Sequence, residues 1–219
     1  MKKIKTVFKI DRVSELAINE LNANMEWVLE GDGIATVKFD GTSVFYQNGH
    51  WYKRFDRKLS KKGQRRRQSL LKKGDAFILQ DSDLRVLPEG AIALEQAPDP
   101  VTFHYPYWVP APFDLPENKY LKEAVESLET VVEEGSYELI GPSVNCNPYA
   151  LTVHRVVKHG ASVIEELSST RLSFEIIRQW LINNDGEGLV FHHEHDGRMA
   201  KIRRKDFRLV WNPESDPRN

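Results

Sequence analysis

Four charged residues stand in segments whose neighbours ought to be buried. Lys38 closes "IATVK" just before the Asp40-Gly41 turn signal, Glu138 sits in "YELIG", Glu187 opens "EGLVF" and Lys201 lies in "MAKIRR". A charge among such apolar residues is expensive unless it is paired or bound to an ion. Two carboxylates suit a hard divalent cation, and two ammonium groups suit phosphate oxygens. Converging on one cleft, the four would hold a polyphosphate. The competing reading is that each side chain alternates outward on a half-exposed strand, with Lys38 facing water.

The elements that must position these residues can be read from pattern. Residues 34–38 form a short strand. From Thr42 to Phe55 β-branched and aromatic residues surround Asn48-Gly49, the signature of a two-residue type I′ hairpin. Three- and four-residue apolar spacing predicts a helix over 117–134, ended by Gly135. Residues 137–140 then read as a strand. A second helix is predicted over 173–183, with Ser173 as N-cap and Phe174, Ile177 and Leu181 buried. Two further strands follow about Asp196-Gly197. Residues 98–116 hold too many prolines for helix or central strand and are expected to be an extended connection. The class is α+β, without repeats, and residues 1–219 are expected to form one domain.

Composition narrows the setting. The net charge is −1, hydrophobic residues are 40% and charged residues 29%, which is ordinary for a globular protein. No apolar run approaches membrane-spanning length. "MKKIKTVFKIDRVSEL" lacks the apolar stretch of a secretory signal. The one cysteine, Cys146, excludes an intrachain disulfide and a multi-thiolate zinc site. A cytoplasmic monomer is expected. Charge is unevenly spread: nine of the 31 Lys and Arg fall between Asp56 and Asp75, leaving 22 against 32 acidic residues elsewhere. Such a block is either a nucleic-acid contact or a solvated loop. In "FHHEH" only His193 and His195 share a strand face, too few ligands for zinc.

The ordered set "KFDG", "KRFD", "YELIG", "EGLVF" and "MAKIR" resembles the motifs of the covalent nucleotidyltransferases: RNA ligases, DNA ligases and mRNA capping enzymes. "KFDGTS", "YELIGPSVNCNPY" and "KIRRKDF" are most similar to small ATP-dependent RNA ligases related to the vertebrate 5′-3′ RNA ligase. The resemblance runs from about residue 34 to residue 211. It implies a nucleotidyltransferase (ATP-grasp-like) domain with antiparallel sheets flanking a nucleotide cleft and packed helices. A C-terminal OB barrel, as DNA ligases carry, is not expected.

By this resemblance Lys38 is the nucleophile that takes AMP from ATP, and Lys201 is the catalytic cation beside it. Glu187 and Glu138 are the carboxylates for Mg²⁺ or Mn²⁺, with Glu138 also near the ribose. Arg54 binds the ribose and Val190 packs on adenine. Thr36 and Val37 precede the nucleophile beside the nucleotide, though neither is the acidic residue some ligases place near the base. Many relatives have Lys-x-Lys in the last motif; here Arg203, or else Lys205, supplies the second cation, and strand parity favours Arg203. His154 and His159 fall near the strand lining the pocket. Arg65, Arg66 and Arg67 are expected to hold RNA. The implied activity is joining of RNA 5′-phosphate and 3′-hydroxyl ends, as in RNA repair, through lysyl-AMP and an adenylylated RNA end. The alternatives are a ligase for nicked DNA or hybrid duplexes, and a silent RNA-binding protein.

Overall fold

The structure, a computed structural model, describes residues 4–211. In chain order the strands are β1 (Lys5–Thr6), β2 (Phe8–Ile10), β3 (Ala17–Leu21), β4 (Gly33–Lys38), β5 (Thr42–Gln47), β6 (His50–Arg57), β7 (Ile92–Ala93), β8 (Tyr105–Pro110), β9 (Gly135–Ile140), β10 (Arg155–Lys158), β11 (Gly188–His193) and β12 (Met199–Arg203). The helices are α1 (Glu26–Glu30), α2 (Lys61–Lys73), α3 (Lys119–Glu126) and α4 (Phe174–Asn183). The class is α+β. No helix among the described residues is long and apolar enough to cross a membrane.

Two sheets carry the molecule. The smaller has the order β1-β12-β11-β4 and the larger β10-β9-β5-β6-β8-β7. β2 and β3 form a separate hairpin. β1 runs parallel to β12, while β11 is antiparallel to both its neighbours, β4 and β12.

Alternation divides the faces of the smaller sheet. Ala35, Leu189, Phe191, Ala200 and Ile202 point to one side and are fully buried. They pack with Phe8, Trp27, Val28, Ile177 and Leu181 in the first core. Burial of a side chain such as Ile177 or Leu181 stabilises by about 1.5–3 kcal/mol. The larger sheet packs Val44, Trp51, Tyr137, Leu139 and Val156 against Leu121 and Ala124 of α3. With one face of each sheet covered, the other faces are left to form a cleft.

Local chemistry explains most element ends. Asn48 (φ 50°) and Gly49 (φ 78°) make the left-handed turn between β5 and β6, with Gln47 opposite His50. The Ser173 hydroxyl accepts from Ile176 N at 3.2 Å and caps α4.

Three expectations are corrected. α3 ends at Glu126 rather than near 134, because the Ser127 hydroxyl turns back to the Ala124 carbonyl (2.9 Å), although Leu128 and Val132 still pack on the second core. Residues 105–110 are a strand, not an open connection. The Pro106 carbonyl accepts from Leu94 N (3.0 Å), so its backbone polar groups face the β7 edge and its missing N–H takes nothing from the β6 ladder. The basic block is the helix α2, capped by Ser60, whose hydroxyl accepts from Gly63 N at 3.0 Å.

Candidate active site

The turn after Lys38 carries the chain from the smaller sheet into the larger. Gly41 is required there: a Cβ would run into the Leu139 carbonyl oxygen and come within 2.9 Å of Glu138 Cγ. The turn is held from the loop that follows β9. Asn145 Nδ2 donates to Asp40 Oδ1 (2.7 Å) and to the Gly41 carbonyl (3.1 Å). Asp40 N–H donates to Tyr149 Oη at 2.6 Å. Asn145, Cys146 and Asn147 are successive left-handed residues (φ 45°, 60° and 51°), a conformation that costs each of them free energy. Burial keeps the Tyr149 phenol protonated far above its usual range, and the carboxylates of Glu187, Asp40 and Glu138 add to this.

Register places the cations of the first wall. Thr36, Val190 and Lys201 lie in one row across β4, β11 and β12; Lys38, Gly188 and Arg203 form the next row. Rows two residues apart share a face, so all of these residues front the cleft. At Gly188, which lies between Lys38 and Arg203 in this row, a Cβ would meet the Ile202 carbonyl oxygen.

The charges in this wall are coupled. Lys38 Nζ forms an ion pair with Glu187, and the two side chains are 21% and 19% exposed. Burial raises the Glu187 carboxyl above its ordinary range, against the opposing pull of Lys38. Lys201 is lowered to about 8, chiefly by burial and then by the Arg203 and Lys38 cations. Arg203 is oriented by buried Asp206, donating to Oδ1 from Nη2 (2.7 Å) and to Oδ2 from Nε (3.2 Å).

The second wall is one face of the larger sheet. Glu138 lies opposite Ser43 on β9 and β5, and Arg54 opposite Trp108 on β6 and β8. Glu138 Oε2 lies 2.8 Å from His159 Nε2, and Arg54 Nε donates to Asp56 Oδ1 at 2.9 Å. Phe45 and Trp108 stack at 5.4 Å with planes 9° apart. Between the walls is a cavity of about 390 Å³ lined by Phe45, Trp108, Ser136, His159, His192 and Met199. Two buried polar atoms of this wall, Ser43 Oγ and His159 Nδ1, have no hydrogen-bond partner among the described residues. Burial, and then the neighbouring His159, lower the His192 pKa, and its Nε2 lies 3.1 Å from Thr36 Oγ1.

The structure thus gathers Thr36, Lys38, Val190, Lys201, Arg203 and Glu187 on one side, with Glu138 and Arg54 on the other. Val37 is a correction: it alternates to the opposite face and packs against the first core. The three arginines of α2 also separate. Arg66 is turned inward, its Nε donating to Asp83 Oδ1 (2.7 Å) and its guanidinium 4.6 Å from the Phe77 ring centroid. Arg67 lies over Phe103 at 5.2 Å, and only Arg65 is exposed. His154 is structural: it is buried, Nδ1 meets Glu123 Oε2 at 2.9 Å, and Nε2 accepts from Ser143 N at 3.3 Å. Sequence reasoning missed Asn145, Tyr149, Asp206 and the aromatic pair Phe45–Trp108. Only "NCNPY" offered a signal, since asparagine tolerates the left-handed region better than most residues.

The geometry defines an α+β protein with a cleft cationic on one wall, carboxylate-bearing on both and partly aromatic at its floor. Sequence comparison adds the relationship. The RNA ligase 1 family model matches residues 114–218, a span that includes Glu138, Glu187, Val190, Lys201 and Arg203. RNA ligase 1 of Pongo abelii is 27% identical over 227 residues, covering 81% of this chain and 68% of that protein. The chain is RNA ligase-like.

Proposed function

We infer that the protein is an ATP-dependent RNA ligase with a nucleotidyltransferase fold, and that Lys38 is its nucleophile. The observation carrying this reading is the shared face of β4, β11 and β12. It sets Lys38 beside Glu187, Lys201 and Arg203, opposite Glu138 and Arg54.

In the first step, Lys38 Nζ, having lost its proton, attacks the α-phosphorus of ATP. A P–N bond forms, the bond to the bridging oxygen breaks, and pyrophosphate leaves with the electron pair. Lys201 and Arg203 offset the negative charge that builds on the phosphoryl oxygens. AMP then passes from Lys38 to an RNA 5′-phosphate oxygen, and a 3′-hydroxyl displaces it to join the ends. The cavity beside Val190 suits the adenine. Its polar edge would satisfy Ser43 Oγ and His159 Nδ1, and Phe45 and Trp108 supply apolar lining.

Glu138 and Glu187 fit a hard cation such as Mg²⁺ or Mn²⁺, which is commonly held by one or two carboxylates together with substrate phosphates. Among the described residues no three His, Cys, Asp or Glu side chains form a cage by themselves. When bound, the cation would neutralise charge on the transferring phosphate.

The test is intact-mass measurement after mixing protein with ATP and each divalent metal. One AMP should appear on Lys38 in an acid-labile bond and be absent from Lys38→Ala. Labelling that survives Lys38→Ala would overturn the reading.

A further inference from the structure

We propose that the outward face of α2 is the surface that grips the RNA strand, through Lys61, Arg65 and Lys72 with Lys62 and Lys73 beside them. The helix is sharply two-sided. Gly63 is buried against the Asp83 backbone, where a Cβ could not fit, and Arg66, Arg67 and Leu70 turn toward the protein. Lys61, Lys62, Arg65, Lys72 and Lys73 are all exposed.

Lys61, Arg65 and Lys72 fall at i, i+4 and i+11 and therefore form one stripe. At about 1.5 Å per residue the stripe is ~16 Å long. A stacked nucleic-acid strand advances about 3.4 Å per nucleotide, so the stripe spans roughly five of them.

Two carboxylates packed beside the helix, Asp81 and Asp83, are already engaged. Asp81 accepts from Arg57 Nη1 (2.7 Å) and Nη2 (3.0 Å), and Asp83 is taken by Arg66. Lys62 feels the charge of Asp83. Lys61, Arg65, Lys72 and Lys73 have no ion-pair partner among the described residues. Elsewhere acidic residues exceed basic ones by 32 to 22, so a polyanion is repelled by much of the remaining chain and drawn to this face.

The helix is also joined firmly to the cleft. β6 carries Arg54 on the second wall, and Arg57, three residues or about 10 Å further along the strand, is fixed by Asp81 just before the helix begins. That the polyanion is RNA rests on the ligase reading; the surface itself does not.

The experiment compares Lys61→Ala/Arg65→Ala/Lys72→Ala with a control that removes the same charge elsewhere, Lys9→Ala/Lys122→Ala/Arg178→Ala. Binding of a fluorescent 5′-phosphorylated RNA is measured by anisotropy across salt concentrations, without ATP. The α2 variant should bind about tenfold or more weakly. Its slope of log affinity against log salt should be shallower by about 2, at ~0.7 for each phosphate no longer neutralised. The control should stay within about twofold of the parent, with an unchanged slope. Melting temperature and helical circular dichroism verify folding. Should the triple variant misfold, Lys61→Gln/Lys72→Gln reads the same slope with two cations removed. An unchanged slope, or an equal weakening in the control, overturns the proposal. Because no ATP is present, failure of Lys38 to take AMP would sink the ligase reading and leave this result standing.

Discussion

Asn145 fastens Asp40 across the base of the cleft, its side-chain amide donating to the Asp40 carboxylate at 2.7 Å and to the next carbonyl at 3.1 Å. With Tyr149 receiving the Asp40 N–H, the turn carrying Lys38 is held at three points from one loop. The turn that follows Lys38 is therefore fixed by residues more than 100 positions away in sequence.

Asn145→Ala should slow Lys38 adenylylation by about 10- to 100-fold, the penalty of misplacing a reacting atom by up to about an ångström. Single-turnover rates at saturating ATP measure it. Tyr149→Phe should cost stability as well, about 1–3 kcal/mol by denaturant unfolding, since it leaves the Asp40 N–H without its acceptor. Normal rates in both variants would remove the turn from the mechanism.

Lys201 gives a pH signature. It is a cation below about 8 and loses that charge above it, so adenylylation should fall as pH rises through about 8. Lys201→Arg should abolish that decline while retaining part of the activity. The stability sign is opposite. Because folding depresses this pKa from 10.5, the folded state favours the neutral amine. The penalty is present below about 8 and fades between about 8 and 10.5. Lys201→Met should therefore be more stable than the parent at about pH 7, with the advantage vanishing by about pH 10.5 in urea titrations.

Glu187→Gln should separate catalysis from folding. The side chain keeps its shape but loses the charge that meets Lys38 and would meet a metal, and turnover should drop at least about 100-fold. Lys38 is 21% exposed at the cleft and the Gln amide oxygen can still accept from its Nζ, so the stability loss should stay below about 3–5 kcal/mol, the cost of stripping one partner from a fully buried pair. A variant that unfolds yet keeps full activity per folded molecule would make Glu187 structural.

Gly41→Ala tests the crossing between the sheets. The new methyl meets a backbone carbonyl, which cannot rotate away, so the turn and β9 must part. A destabilisation of about 1–3 kcal/mol is expected, together with slower adenylylation. Gly49→Ala meets nothing within 4 Å and bears only the strain of its positive φ, so it should leave adenylylation unchanged.

What is legible in the sequence follows from the range of each interaction. Parity along "MAKIRR" is enough to put Arg203 with Lys201, because alternation is a property of the strand itself. The same alternation sends Val37 to the core once Lys38 faces the cleft. Ser173 and Asn48-Gly49 are legible for similar local reasons. α2 is obscured by its charge. Apart from Gly63, Leu70 and Leu71 every residue of the helix is polar or charged, so it shows little apolar periodicity, and its inward contacts include Gly63 and Arg66. Asn145 and Tyr149 cannot be read as site residues because their partners lie 104 to 109 residues away.

The strand that bears Lys38 waits for its neighbours. β4 pairs with β11, whose adjoining residue Glu187 is 149 residues further along the chain, and the sheet is completed when β12 joins β11 and β1. At about 5–20 residues per second, a ribosome needs roughly 7–30 s between making the two halves of that wall. During this interval the hairpin of β5 and β6 can pair, but β4 has an unfilled edge and the Lys38 ammonium has no counter-ion. Emerging chains therefore lack the assembled cleft, and the exposed edge of β4 is where a nascent chain is most open to a chaperone or to mispairing with another copy.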